Sequence, residues 1–172
     1  MVTLETERLV LRHFREDDFE AYARINADPE VMRFLGGQVM SRLEAWRHMA
    51  MLVGHWQLRG YGHWAVVEKA TGAFAGRLGF HNPEGWPAFE IGWTLAREHW
   101  GKGYATEGAT AALDYVFTEM KREHVISLIH PDNVNSIRVA ERLGERLEGK
   151  TGLFGIEVSV YSLDRETWLA SR

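Results

Sequence analysis

Glu90-Ile91-Gly92-Trp93-Thr94-Leu95-Ala96-Arg97-Glu98-His99-Trp100-Gly101-Lys102-Gly103-Tyr104-Ala105-Thr106-Glu107-Gly108 is the stretch around which the rest of the chain is organised. It reads as an apolar strand, a polar turn, and then a glycine-spaced segment opening a long amphipathic helix. Unpaired N–H groups and the positive end of the helix dipole make such an N-terminus a seat for an anion such as a pyrophosphate. Gly101 and Gly103 remove side chains that would block close backbone approach, and Ala105 keeps the next turn small. A simple strand-to-helix turn could show the same spacing. The common phosphate loops fit badly. A Walker A loop needs Ser or Thr after its lysine, where Lys102 is followed by Gly103. A dinucleotide fingerprint needs a third glycine where Thr106 stands.

Outward from this stretch, periodicity assigns the remaining elements. On the N-terminal side, Arg8 to Phe14 alternates as a half-buried strand, and Asp17 with Glu20 starts a helix. Asp28-Pro29 starts a shorter helix closed by Gly36-Gly37. Ser41 with Glu44 forms a capping box for a helix whose inward stripe is expected to be Leu43, Trp46, Ala50 and Val53. A meander follows, with strands over Gly62 to Glu68, Ala73 to Phe80 and Ala88 to Leu95. On the C-terminal side, Ala105, Ala109, Ala112, Leu113, Val116, Phe117 and Met120 keep helical spacing from Tyr104. A strand is expected over His124 to Ile129, and a helix capped by Asn133 at its start and Gly144 at its end. Glu145 to Glu148 and Ile156 to Leu163 read as final strands, with Thr151-Gly152 and Gly155 in the loop between them. The class is α/β with a mixed sheet.

Composition narrows the function. At 172 residues, with 45% hydrophobic and 26% charged, the chain fits one soluble domain over residues 1–172. A net charge of −4 and the lack of any basic run give no reason to bind nucleic acid or anionic membrane. Cysteine is absent, which excludes disulfides, thiolate metal sites and a cysteine nucleophile. His63, His81, His99 and His130 lack metal-ligand spacing, so no metal is expected. Met1 to Leu9 has no apolar core, and no uncharged apolar run nears the roughly 18 residues of a membrane span, so a cytoplasmic location is expected.

Three words in order carry a resemblance: Glu90-Ile-Gly-Trp-Thr-Leu95, Trp100-Gly-Lys-Gly-Tyr-Ala-Thr-Glu107, and Asn133-Val-Asn-Ser136-Ile-Arg-Val-Ala-Glu-Arg-Leu-Gly144. Together they resemble the GNAT acetyltransferase superfamily, in particular its branch like RimJ and RimL, the ribosomal-protein N-acetyltransferases. The family signature Gln/Arg-x-x-Gly-x-Gly/Ala maps onto Trp100 to Ala105. Trp100 departs at the first place, which leaves the amide cradle intact but removes one polar contact. The resemblance implies a mixed, mostly antiparallel sheet with splayed middle strands and flanking helices, the pantetheine arm of acetyl-CoA lying in the gap.

On that resemblance Trp93, Thr94 and Leu95 would offer backbone hydrogen bonds to the arm. Trp100, Gly101, Lys102, Gly103, Tyr104, Ala105 and Thr106 would hold the pyrophosphate, and Asn133 the pantetheine. Ser136 would protonate the departing thiolate, with Tyr104 and Tyr161 as alternatives. Glu90 would handle the amine's proton through water. The implied activity is acetyl-CoA-dependent N-acetyl transfer to a primary amine, either a protein N-terminus or a small molecule, by direct attack without an acyl-enzyme. A catalytically silent acyl-CoA-binding module is the alternative, and a homodimer is compatible with either.

The residues allow competing readings. Asn133 also reads as a helix N-cap and Ser136 as a surface serine. Glu90 is expected either to be buried beside Phe89 and Trp93, which would raise its pKa, or to pair with an arginine. The acceptor is expected under the helices from Asp28 to Gly60, lined by Phe34, Trp46, Trp56, Tyr61 and Trp64 unless these are core. Glu16-Asp17-Asp18 could attract a cationic acceptor or simply start a helix.

Overall fold

Strand periodicity builds the frame, and the computed structural model describes it for residues 2–172. Strands β1 (Leu4–Glu5), β2 (Leu9–Arg12), β3 (His63–Glu68), β4 (Phe74–His81), β5 (Glu90–Leu95), β6 (His124–Ile129), β7 (Arg146–Leu153) and β8 (Ile156–Asp164) form one sheet. Its order is β1-β2-β3-β4-β5-β6-β8-β7. Every neighbouring pair is antiparallel except β5 and β6. Those two run parallel and share a single register pair, Glu90 with Ile126, beyond which they part. The sheet is therefore mixed, mostly antiparallel and split in the middle, as the sequence leads one to expect.

Helices cover both faces: α1 (Phe19–Asn26), α2 (Pro29–Met32) and α3 (Arg42–Arg59) on one side, α4 (Tyr104–Thr118) and α5 (Val134–Arg142) on the other, with α6 (Arg165–Ala170) at the end. The α4 stripe sits as its spacing predicts, with Ala109, Ala112, Leu113, Val116 and Phe117 sealed against Leu9, Leu11, Leu78 and Ile91. Truncating any of the larger ones to alanine would cost about 2–5 kcal/mol. Gly108 allows this close approach, since a Cβ there would lie 3.1 Å from Leu78.

The α3 stripe is corrected. Ser41 and Glu44 do form the capping box. The buried side, however, is Ala45, Met49, Leu52, His55 and Trp56, while Leu43, Trp46, Ala50 and Val53 face outward. The helix carries aromatic and aliphatic residues all round, so its period fits two faces, and the side of α1 bearing Tyr22 decides between them. Thr151-Gly152 lies within β7, and the hairpin turns at Phe154-Gly155, both at positive φ. Two elements were not foreseen, β1 and α6, each too short to show a period.

Candidate active site

The split between β5 and β6 leaves an open backbone edge. Successive residues of a strand turn their N–H and C=O to opposite sides. Ile91 turns its carbonyl toward β6, where Ser127 Oγ meets it at 3.0 Å. Trp93 and Leu95 share that orientation. Thr94 faces the other way, its carbonyl pressed against Gly76 of β4. The Leu95 carbonyl already accepts the Trp100 indole N–H at 2.8 Å. The open donors and acceptors of the edge thus reduce to Trp93 and the Leu95 N–H.

That edge leads to the start of α4. Gly101 and Gly103 both adopt positive φ, +71° and +81°, which side-chain-bearing residues rarely take. Gly103 is the N-cap, and no side chain caps the helix. Gly101, Lys102 and Gly103 are exposed, so the first-turn N–H groups have an open approach. Lys102 sits 3.8 Å from Glu68 and Tyr104 donates its hydroxyl to Glu68, so Tyr104 is engaged as a structural anchor. Arg8 was not anticipated. Its guanidinium donates to the Lys102 carbonyl at 2.9 Å and pairs with Glu107 at 2.6 Å, placing a second cation beside Gly103. No local pattern could have shown this, because Arg8, just before β2, is far from Lys102 and Glu107 in the chain.

On the opposite sheet face stands Glu90. Burial pushes its carboxyl up to about 7, against hydrogen bonds from the Trp86 indole at 2.7 Å and from the Leu128 N–H at 3.4 Å, and against the field of Arg77. The groups that enclose it are Trp86 and the side chains of its own sheet face, rather than Phe89, which belongs to the core on the other face. His81 is its cross-strand partner, and His63 lies across Gly92, whose missing side chain leaves space beside both His63 and Glu90.

Four histidines that looked scattered or unremarkable converge here: His48 and His55 from α3, His63 from β3, His81 from β4. His55 stacks on His81 at 5.3 Å and His63 meets His81 at 5.8 Å. Desolvation first, and Arg77 next, hold His48 down to about 3, His81 to about 4, and His63 well below the usual histidine range. His99 and His130 stand apart, one stacked on Tyr104 and the other against Phe34. Among the described residues no cluster suited to a metal ion occurs.

The aromatics read either as acceptor lining or as core fall mostly on the second side. Trp56, Tyr61 and Trp64 belong to the main core, and Trp46 faces outward. Of the acidic trio, Asp18 is buried in an ion pair with Arg12 at 2.7 Å, so it shapes the chain and offers nothing to an acceptor.

At the third corner, Asn133 caps α5 by accepting the Ser136 N–H at 3.2 Å. Ser136 is half-buried in the first turn. Tyr161 packs with Ile129, Ala140 and Trp93 under the split. Beside it is a carboxylate the sequence did not disclose, Glu145. Burial, then the nearby Glu90, push its carboxyl up to about 7, against a hydrogen bond with Ser127. Ser127 Oγ lies 3.0 Å from the Ile91 carbonyl and 3.1 Å from Glu145. One hydroxyl hydrogen serves one acceptor, so both contacts close when Glu145 is protonated and donates to Ser127.

Known proteins share this plan. Residues 8–146 match the family of acetyltransferase (GNAT) domains. The uncharacterized N-acetyltransferase p20 of Bacillus licheniformis is 32% identical over 152 residues, spanning 87% of this chain and 85% of that protein. The solved acetyltransferase of Agrobacterium tumefaciens superimposes with a TM-score of 0.86 at 30% identity, covering 95% of this chain and 94% of that one. RimL in complex with coenzyme A shares the fold at a TM-score of 0.81 and 23% identity, over 96% of this chain and 99% of that one. By sequence and by fold alike, this chain belongs to the GNAT family and is an acetyltransferase.

Proposed function

We propose that the chain is an acetyl-CoA-dependent N-acetyltransferase acting on a primary amine, akin to the RimL-like branch and working in the cytoplasm. The observation that carries this reading is the split sheet running into an uncapped helix start. An amide-bearing arm can add to the free edge at Trp93 and the Leu95 N–H as a further strand would. Gly101 to Thr106 then offer bare N–H groups to a diphosphate, with Lys102 and Arg8 beside them. RimL, solved with coenzyme A, has the same fold. Acetyl-CoA supplies an acetyl group activated as a thioester.

The chain's own groups handle the protons. An amine is protonated near neutral pH, with a pKa of about 8 for an α-amino group or about 10.4 for a lysine-like one, and must lose a proton before it attacks. Glu90, at about 7, suits that task directly or through one water. His81, held to about 4, is too weak a base to compete. Ser136, at the start of α5, is assigned to protonating the departing thiolate, and Asn133 to the arm beside it. With no cysteine in the chain the acetyl group cannot pass through an enzyme thiol, and the assigned route is direct attack of the amine on the thioester.

Calorimetry with acetyl-CoA and with ATP tests this. Acetyl-CoA should bind and ATP should not, and Gly103→Val, which places a branched side chain at positive φ, should abolish binding, with its thermal melt as the check that the variant folds. Undiminished affinity in that variant would place the diphosphate elsewhere and sink the proposal.

A further inference from the structure

Arg77 is a cation with no carboxylate to pair with. It projects from the middle of β4 between Ala65 and Thr94, on the sheet face that bears Glu90, His63 and His81. Its Nε is fully buried and has no hydrogen-bond acceptor. One terminal nitrogen meets Nδ1 of His63 at 2.9 Å. Arg12, Arg42 and Arg97 pair with Asp18, Glu20 and Asp28, and the other arginines without an acid, such as Arg24, Arg47 and Arg138, are exposed, whereas Arg77 is half-buried. Among the described residues no carboxylate lies within ion-pair distance of Arg77. A half-buried guanidinium left without an anion is costly, and its fork geometry suits a carboxylate or phosphate.

We propose that Arg77 binds an anionic group of the acceptor, so that the amine acetylated here also carries a carboxylate or a phosphate-like group. This deepens the acetyltransferase reading and rests on it. Glu90 feels the field of Arg77 without a hydrogen bond between them, so an acceptor's amine and its anion have separate stations on one face. Polycations fit poorly. The field of Arg77 already helps keep His48, His63 and His81 unprotonated, and the same repulsion acts on a second ammonium. His48, whose Nδ1 meets the Tyr22 hydroxyl, also lines a surface cleft of about 480 Å³ between the α2–α3 connection and α3, a cleft whose lining does not include Arg77 itself.

The test uses the full chain saturated with coenzyme A. Calorimetry compares β-alanine, γ-aminobutyrate and aminomethylphosphonate with β-alaninamide, γ-aminobutyramide and spermidine. The anionic amines should bind at least about tenfold tighter than their amides, and the phosphonate against the carboxylates tells which anion is preferred. Arg77→Gln should erase that gap and Arg77→Lys should keep part of it, both with unchanged coenzyme A affinity as the check on folding. In turnover, Arg77→Gln should raise KM for the anionic amines about tenfold or more and leave KM for their neutral amides within about twofold. The proposal is overturned if wild type shows no gap, if the gap survives in Arg77→Gln, or if spermidine is preferred. Failure of the wild type to bind coenzyme A would instead count against the acetyltransferase reading.

Discussion

A carboxyl group in water ionises near pH 4.3, so at neutral pH it has almost no appetite for a proton. Glu90 escapes this because burial holds it at about 7. The rate should record that. With Glu90 as the base, kcat/KM rises with pH through about 7, below the limb set by the amine itself. Glu90→Gln should lower kcat/KM by about 10²–10⁴-fold and remove the limb near neutrality, leaving acetyl-CoA affinity intact. A variant that kept that limb would move the base elsewhere. Glu145 makes a different statement, about stability. Its pKa rises from 4.5 to about 7 on folding, so the native state holds a proton that the unfolded chain releases. Its contribution is fully present below pH 4.5 and is lost as pH climbs through about 7. Glu145→Gln, which stays neutral, should therefore gain on wild type by up to about 3 kcal/mol between acid and mildly alkaline pH. Denaturant melts of both proteins across that range measure the difference, and parallel curves would refute the assignment.

Elements show why some of this could be read in advance. β5 and α4 were legible because an apolar strand running into a glycine pair and a clean 3.6-residue stripe leaves one interpretation. The splay was legible through resemblance, not periodicity, since a pattern of apolar residues says nothing about where neighbouring strands part. The face of α3 was misread because Trp46 and Val53 satisfy the same spacing as Met49 and Leu52. The polar cluster was illegible for a plainer reason: His48, His63, Arg77, His81 and Glu90 come from α3, β3, β4 and β5, and only strand register brings them together. β4 itself carries an unforeseen requirement. Gly76 and Gly79 both hold φ at +148°, and an added Cβ would lie 2.2 Å from the Thr94 carbonyl and 2.4 Å from that of Gly62, respectively. Neither neighbour is a side chain able to swing aside. Gly79→Ala should cost at least about 2 kcal/mol, read as a lowered thermal midpoint, and a neutral result would mean the strand can flex there.

For the molecule as a whole, the split sheet has a mechanical meaning. The ladder from β1 to β5 and the smaller one of β6, β8 and β7 touch through one strand pair, the Ser127 and Leu128 contacts to β5 and the helices laid across them. Hydrogen bonding within each ladder is dense, and between them it is sparse. Local opening follows such seams, since few bonds must break to let the amides exchange. Amide deuteration should therefore run faster at Trp93 and Leu95 than at Arg77 or Leu78 next door, and adding coenzyme A should slow the seam selectively. Uniform protection with and without ligand would argue for a rigid slab. Otherwise the protein resembles a book whose spine is only tacked, and in the proposed reaction coenzyme A would serve, for the length of each turnover, as the stitching.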